Sequence, residues 1–171
     1  MEMPQDSANS SIKLNTPSMQ PGKLSGLARQ SRNGNDAAMT TSFNTAPSLD
    51  DIAAIARAAF EDLPEEFRDL TTGIVFRVDD FPDAGTEREM GLQSPFDLMG
   101  LYSGVPIGEK DSGMQTGPDM IFLYRRPLLD YWCETEENLT DLVRHVLIHE
   151  IGHHFGLSDE DMESIEAAAG D

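Results

Sequence analysis

Cysteine is nearly missing from this chain of 171 residues, and the single one, Cys133, excludes an internal disulfide framework. The fold must therefore rest on an apolar core or on a metal. Basic residues are also scarce, with 12 Lys and Arg against 31 Asp and Glu and a formal charge of −19. Nucleic-acid binding needs a basic footprint, so neither DNA nor RNA is an expected partner. No apolar run reaches the roughly 18 residues of a membrane helix, and no hydrophobic leader follows Met1. No internal repeat is present. These absences leave a soluble, acidic protein of a reducing compartment, expected in the cytoplasm.

Charge is uneven along the chain. Residues 1–45 hold four basic residues, Lys13, Lys23, Arg29 and Arg32, and three acidic ones, Glu2, Asp6 and Asp36. Residues 46–171 hold the other 8 basic and 28 acidic residues, a net of −20. The first segment is rich in Ser, Asn, Gln, Thr, Gly and Pro. Such a composition cannot bury enough surface to offset chain entropy, so 1–45 reads as a disordered tail. Its acid-free stretch from Ser7 to Asn35 shares one property of organellar transit peptides. A solvated tail, or a start codon misassigned ahead of Met39, accounts for it more simply.

The folded domain is expected over 46–171. Ser48 with Asp51 resembles a capping pair, and Ile52, Ile55, Ala56 and Phe60 recur at helical spacing. Pro64 opens a second helical turn through Phe67 and Leu70. Thr72 to Phe81 alternates as a strand, and Asp119 to Tyr124 reads as another. Between them, 82–118 is dense in Gly, Pro, Asp and Ser and reads as loop, with one apolar island at Leu98–Val105. A helix is expected from about Glu136 to Phe155, closed by a left-handed Gly156. Ser158 with Asp161 starts a last short helix ending in Ala167–Ala169. This order gives an α+β domain of ordinary single-domain size.

The chemistry is concentrated in one run, His149-Glu150-Ile151-Gly152-His153. Two His four apart share one helix face, one turn above the other, so their ring nitrogens can converge on a single zinc. Glu150 is rotated about 100° from His149 and can reach a water beside the metal rather than the metal itself. Leu139, Val143, Val146, Leu147, Ile148, Ile151 and Phe155 cover well over half of this helix, so it is mostly buried. Glu150 projects into that apolar arc, where an unpartnered carboxylate costs several kcal/mol, and a neighbouring cation removes the conflict.

Zinc needs a third protein ligand and an open position. Gly156 lets the chain turn back sharply, and Asp159, three residues on, is the first choice; the alternative for Asp159 is a cap on the final helix. Glu163 is the runner-up, ahead of Glu160 and His154. His145, one turn before His149, reads as a hydrogen-bonded polar-face His, and His154 as a core His satisfied by a carbonyl. Gly152, unfavourable in mid-helix, suits a close backbone approach beside the metal. Cys133, without Cys or His at ligand spacing, reads as a buried or half-buried thiol.

These residues resemble the short bacterial zincin-like metallopeptidases, a minimal-zincin family. The resemblance covers roughly 48–171 and is carried by Ile121-Phe122-Leu123-Tyr124-Arg125-Arg126-Pro127-Leu128, by Arg144-His145, and by His149 to Glu160. The Gly100-Leu101-Tyr102-x-Gly104-Val105-Pro106 island matches too. It implies a minimal zincin-like α+β core with a small sheet packed on the Glu150-bearing helix, and one zinc. In zincins a cleft-lining edge strand pairs with an extended peptide, and Ile121–Tyr124 is the expected strand here. Longer relatives carry a Met-turn beneath the metal; here only Met162 follows Asp159.

The expected activity is peptide-bond hydrolysis of a peptide or protein substrate, with basic segments favoured by charge. Zinc sits on His149, His153 and Asp159, and Glu150 serves as general base and acid. Tyr102, Tyr124 and Tyr131 are the possible oxyanion helpers. The competing reading is a non-catalytic zinc-binding regulatory or interaction domain, with Glu163 or His145 closing the site.

Overall fold

The computed structural model describes residues 45–109 and 117–162. Residues 1–44, most of the expected tail, lie outside them. Ser48 starts the first helix through two reciprocal bonds: its hydroxyl accepts the Asp51 N–H at 3.1 Å, and the Asp51 carboxylate accepts the Ser48 N–H at 2.8 Å. The box satisfies amides that the helix cannot bond itself. Helix α1 (Leu49–Glu61) buries Ile52, Ala56 and Ala59, and α2 (Glu65–Leu70) follows Pro64. Then come β1 (Val75–Asp79), α3 (Ala84–Met90), β2 (Gly100–Ser103), β3 (Met120–Tyr124), α4 (Arg125–Glu134) and α5 (Leu139–His154). The fold is α+β.

The sheet has the order β1-β3-β2, with β1 parallel and β2 antiparallel to β3. Alternation along β3 divides the core. Ile121 and Leu123 face α1 and α5, joining Ile52, Tyr102, Leu142, Val143, Val146, Leu147 and Ile151 in the larger cluster. Phe122 and Tyr124 face the other way, onto Met90, Leu98 and Leu101. The small sheet thus packs on α5 with one face and on the 84–98 segment with the other.

Two expectations are corrected. The Ile121–Tyr124 strand is central, paired on both sides, so it has no free edge for a peptide. The edge strand beside α5 is β2. The 82–118 loop contains α3, begun by Asp83 whose carboxylate accepts the Gly85 and Thr86 N–H groups at 2.7 and 2.9 Å, and also β2. Helix α4 begins directly after β3, with Pro127 at its third position, where no intrahelical N–H is lost. Arg125 fixes that junction: its Nε meets Asp80 Oδ1 at 2.7 Å and its Nη1 donates to the Pro47 carbonyl at 2.8 Å.

Candidate metal centre

Helix α5 is capped by Asn138, whose side chain accepts the Thr140 N–H at 2.8 Å, and it ends as the sequence requires. Gly156 takes φ +84°, the Gly156 N–H donates to the His153 carbonyl at 2.9 Å, and the Leu157 N–H donates to the Gly152 carbonyl at 3.1 Å. This pair of bonds is a Schellman motif, and it folds the chain back along the helix end. Leu157 is thereby carried to His153, whose Nδ1 lies 2.9 Å from the Leu157 carbonyl. A carbonyl can only accept, so Nδ1 carries a proton, and in the neutral ring Nε2 is left as the lone pair.

The next residues return to the same rings. Ser158 and Asp161 form a second capping box: Asp161 N–H to Ser158 Oγ at 3.2 Å, Ser158 N–H to Asp161 Oδ2 at 2.9 Å. The Ser158 hydroxyl, donating to Asp161 Oδ2 at 2.6 Å, and then the Ser158 N–H hold the Asp161 carboxyl below its ordinary range. The capping carboxylate is therefore Asp161, and Asp159 turns elsewhere. Its Oδ1 stands 3.2 Å from His149 Nε2 and 3.2 Å from His153 Nε2. One ligand atom from each of the three residues lies within 4.8 Å of the others. The side chains of His149 and His153 are 11% and 1% exposed, and that of Asp159 is 59% exposed.

This donor set fits a cation. Burial, and next the His153 imidazole, push the His149 pKa down from 6.5 to about 4, against the pull of Asp159. The ring is neutral at pH 7. In its neutral form His153 turns the Nε2 lone pair to a carboxylate oxygen at 3.2 Å, an arrangement that two acceptors disfavour and a metal between them makes favourable. Two imidazole nitrogens and one carboxylate oxygen are a zinc donor set, and the Nδ1 bond of His153 supplies the outer partner that orients such a ligand.

Glu150 is fully buried, as its place in the apolar arc requires. It is not buried alone. The Tyr102 main-chain N–H of β2 donates to its Oε2 at 2.7 Å. β2 approaches this closely because residue 100 is Gly: a Cβ there would lie 2.8 Å from Glu150 Oε1 and 2.7 Å from Val146 Cγ1. Neither Gly100 nor Tyr102 was expected at the Glu150 carboxylate. The available signal was a glycine within an apolar island, which in a strand marks close approach.

The remaining residues sort themselves. His154 is buried, with Nε2 3.2 Å from the Leu70 carbonyl, the satisfied core His expected. His145 is half-buried, its ring 6.4 Å from that of His149. The Tyr102 hydroxyl is engaged by the Val105 carbonyl at 3.0 Å and His154 Nδ1 at 3.1 Å, so it does not serve as an oxyanion helper. What lies against Gly152 is a side chain rather than backbone: a Cβ on Gly152 would lie 2.5 Å from Met162 Sδ, and Met162 is buried. Methionine thus reaches α5 without a long downstream turn. Cys133 is exposed, correcting the buried or half-buried thiol expected; it lies on α4, whose inward face is taken by Pro127, Leu128 and Leu129. Glu163 lies outside the described residues.

Among families of known proteins, the zincin-like metallopeptidases match this chain over residues 71–169. No curated protein matches it.

Proposed function

The chain belongs to the zincin-like metallopeptidase family, and from that premise we propose that it is a zinc-dependent peptide-bond hydrolase. His149, His153 and Asp159 would hold the zinc, and Glu150 would move the proton. Bound there, zinc supplies a Lewis acid that acidifies a water and polarises a scissile carbonyl. The two imidazoles would bind through Nε2, and the Leu157 carbonyl, accepting from Nδ1, would keep the His153 ring in the tautomer that permits it. Glu150, held by the Tyr102 amide, takes the proton of the attacking water and passes it to the leaving amine. Its enclosure beneath β2 keeps bulk water from competing for that proton.

One observation carries the reading. A wholly buried carboxylate lies one residue along the helix from a two-His, one-Asp donor set. A purely structural zinc has no use for such a group. The exposed Asp159 side chain also favours an accessible site over a closed one. The expected substrate is a peptide or protein segment, with basic ones drawn to a chain of charge −19. A peptide-library cleavage screen beside zinc quantification tests this directly. Wild type should cleave and lose activity to a chelator, and Glu150→Gln should keep zinc and cleave nothing. A fully active Glu150→Gln would refute the mechanism.

A further inference from the structure

We propose that β2 is a clamp that aims the Glu150 carboxylate, with Tyr102 and Gly100 as positioning residues. The catalytic part of this inference rests on the peptidase reading above. The outer edge of β2 is identified by its pairing. The Tyr124 N–H donates to the Met99 carbonyl at 2.9 Å, so Leu101 and Ser103 turn their main-chain groups toward β3, and Gly100 and Tyr102 turn theirs outward. Among the described residues no strand pairs with that outer side. Its Tyr102 N–H is taken by Glu150 Oε2 at 2.7 Å, the length of a charge-assisted bond. The other carboxylate oxygen lies under Gly100, where a Cβ would fall 2.8 Å from Oε1 and 3.0 Å from Cγ. One oxygen is bonded and the other is walled, which leaves the carboxylate little freedom to turn.

The side chain of Tyr102 anchors the same strand to the same helix one turn further on. Its hydroxyl meets His154 Nδ1 at 3.1 Å, and His154 lies four residues after Glu150, on one face of α5. His154 Nε2 in turn reaches the Leu70 carbonyl at 3.2 Å. Asp119 closes the network, with Oδ2 3.7 Å from His154 Nδ1 and Oδ1 accepting the Val105 N–H at 3.3 Å. Tyr102 and His154 are 1% and 2% exposed, and neither belongs to the donor set. A buried polar network of this kind is tolerated only when its members are satisfied, and then it fixes one geometry. Tyr102 thus grips α5 at two points: by its amide at Glu150 and by its hydroxyl at His154. The distance between strand and helix, and hence the aim of the carboxylate, is set by both.

The test uses the zinc-loaded full chain and one quenched fluorogenic peptide taken from the cleavage screen. Tyr102→Phe removes only the hydroxyl; zinc content and KM should stay unchanged, and kcat should fall about tenfold, since misplacements near 1 Å reach about a hundredfold. Gly100→Ala should lower kcat about a hundredfold by the same reasoning and should also lower Tm. Adding Val146→Ala to Gly100→Ala removes the packing clash but leaves the clash with Glu150, so Tm should recover and kcat should not. Recovery of both together would overturn the clamp, as would losses confined to KM. An independent readout is the Tyr102 amide proton resonance, expected downfield in the wild type and moved upfield by Glu150→Gln. An amide that does not move would overturn the clamp even if every variant were active. If wild type cleaves no peptide, the peptidase reading fails, and the amide measurement still decides the clamp. If Gly100→Ala does not fold, Tyr102→Phe and the amide decide it.

Discussion

Burial sets the protonation of His149, and this has a consequence for stability. The unfolded chain takes up a proton on this group near pH 6.5, and the folded metal-free chain only near pH 4. Between these values the proton favours the unfolded form, so folding stability falls as pH drops from about 6.5 to about 4 and loses nothing more through this group below that. The metal-free wild type should therefore lose more of its urea midpoint between pH 7 and pH 4.5 than His149→Gln does. Equal losses in the two proteins would show that His149 titrates normally. Asp159 makes a second residue-level prediction. Its carboxylate lies between the two imidazoles and is not the cap of the following helix, a task already filled by Asp161. Asp159→Ala should weaken zinc binding by more than the roughly 10–100-fold typical of losing an outer-shell partner. The helix cap should be intact. Isothermal titration with zinc, alongside thermal unfolding of the metal-free protein, separates the two roles.

Among the elements, the turn that ends α5 joins fold to site. Gly156 at φ +84° brings Leu157 to His153 and Asp159 to both imidazoles. Gly156→Ala meets no collision, its nearest neighbour being Pro106 Cβ at 3.7 Å, so its cost is backbone strain of about 1–2 kcal/mol. The variant should unfold at a lower urea concentration and bind zinc less tightly, and an unchanged zinc affinity would mean the turn does not place Asp159. This turn was legible in the sequence, as were the Ser48–Asp51 box and the buried face around Glu150. Each is local: a cap, a glycine, a period of 3.6 residues. What was not legible depends on partners distant in the chain. β2 is four residues long and almost wholly buried, so it has no alternation to read. The central place of β3 follows from β1 and β2 pairing on either side of it, which no pattern within Met120–Tyr124 announces. Of the centre itself, His149, Glu150, His153 and Asp159 stood out by spacing. Gly100 and Tyr102, which enclose Glu150, are some fifty residues away in sequence and became visible only through the fold.

Across the whole molecule, a metal at this centre would tie α5 to the segment beyond Gly156. A ligand that binds only the folded form at a hundred times its Kd adds about 2.7 kcal/mol, so stripping zinc should lower Tm, and His153→Ala should remove that dependence. The acidity of the chain acts at longer range. Cleavage of a basic peptide should slow as salt rises toward 1 M, where the screening length falls to about 3 Å, and cleavage of a neutral peptide should change little. The proposed chemistry requires one zinc on His149, His153 and Asp159. Anomalous diffraction at the zinc edge tests it most directly. A single peak is expected, bonded to both Nε2 atoms at roughly 2.0–2.1 Å and to an Asp159 oxygen at roughly 2.0–2.2 Å, with one position open. A peak elsewhere, or no peak in protein supplied with zinc, would contradict it.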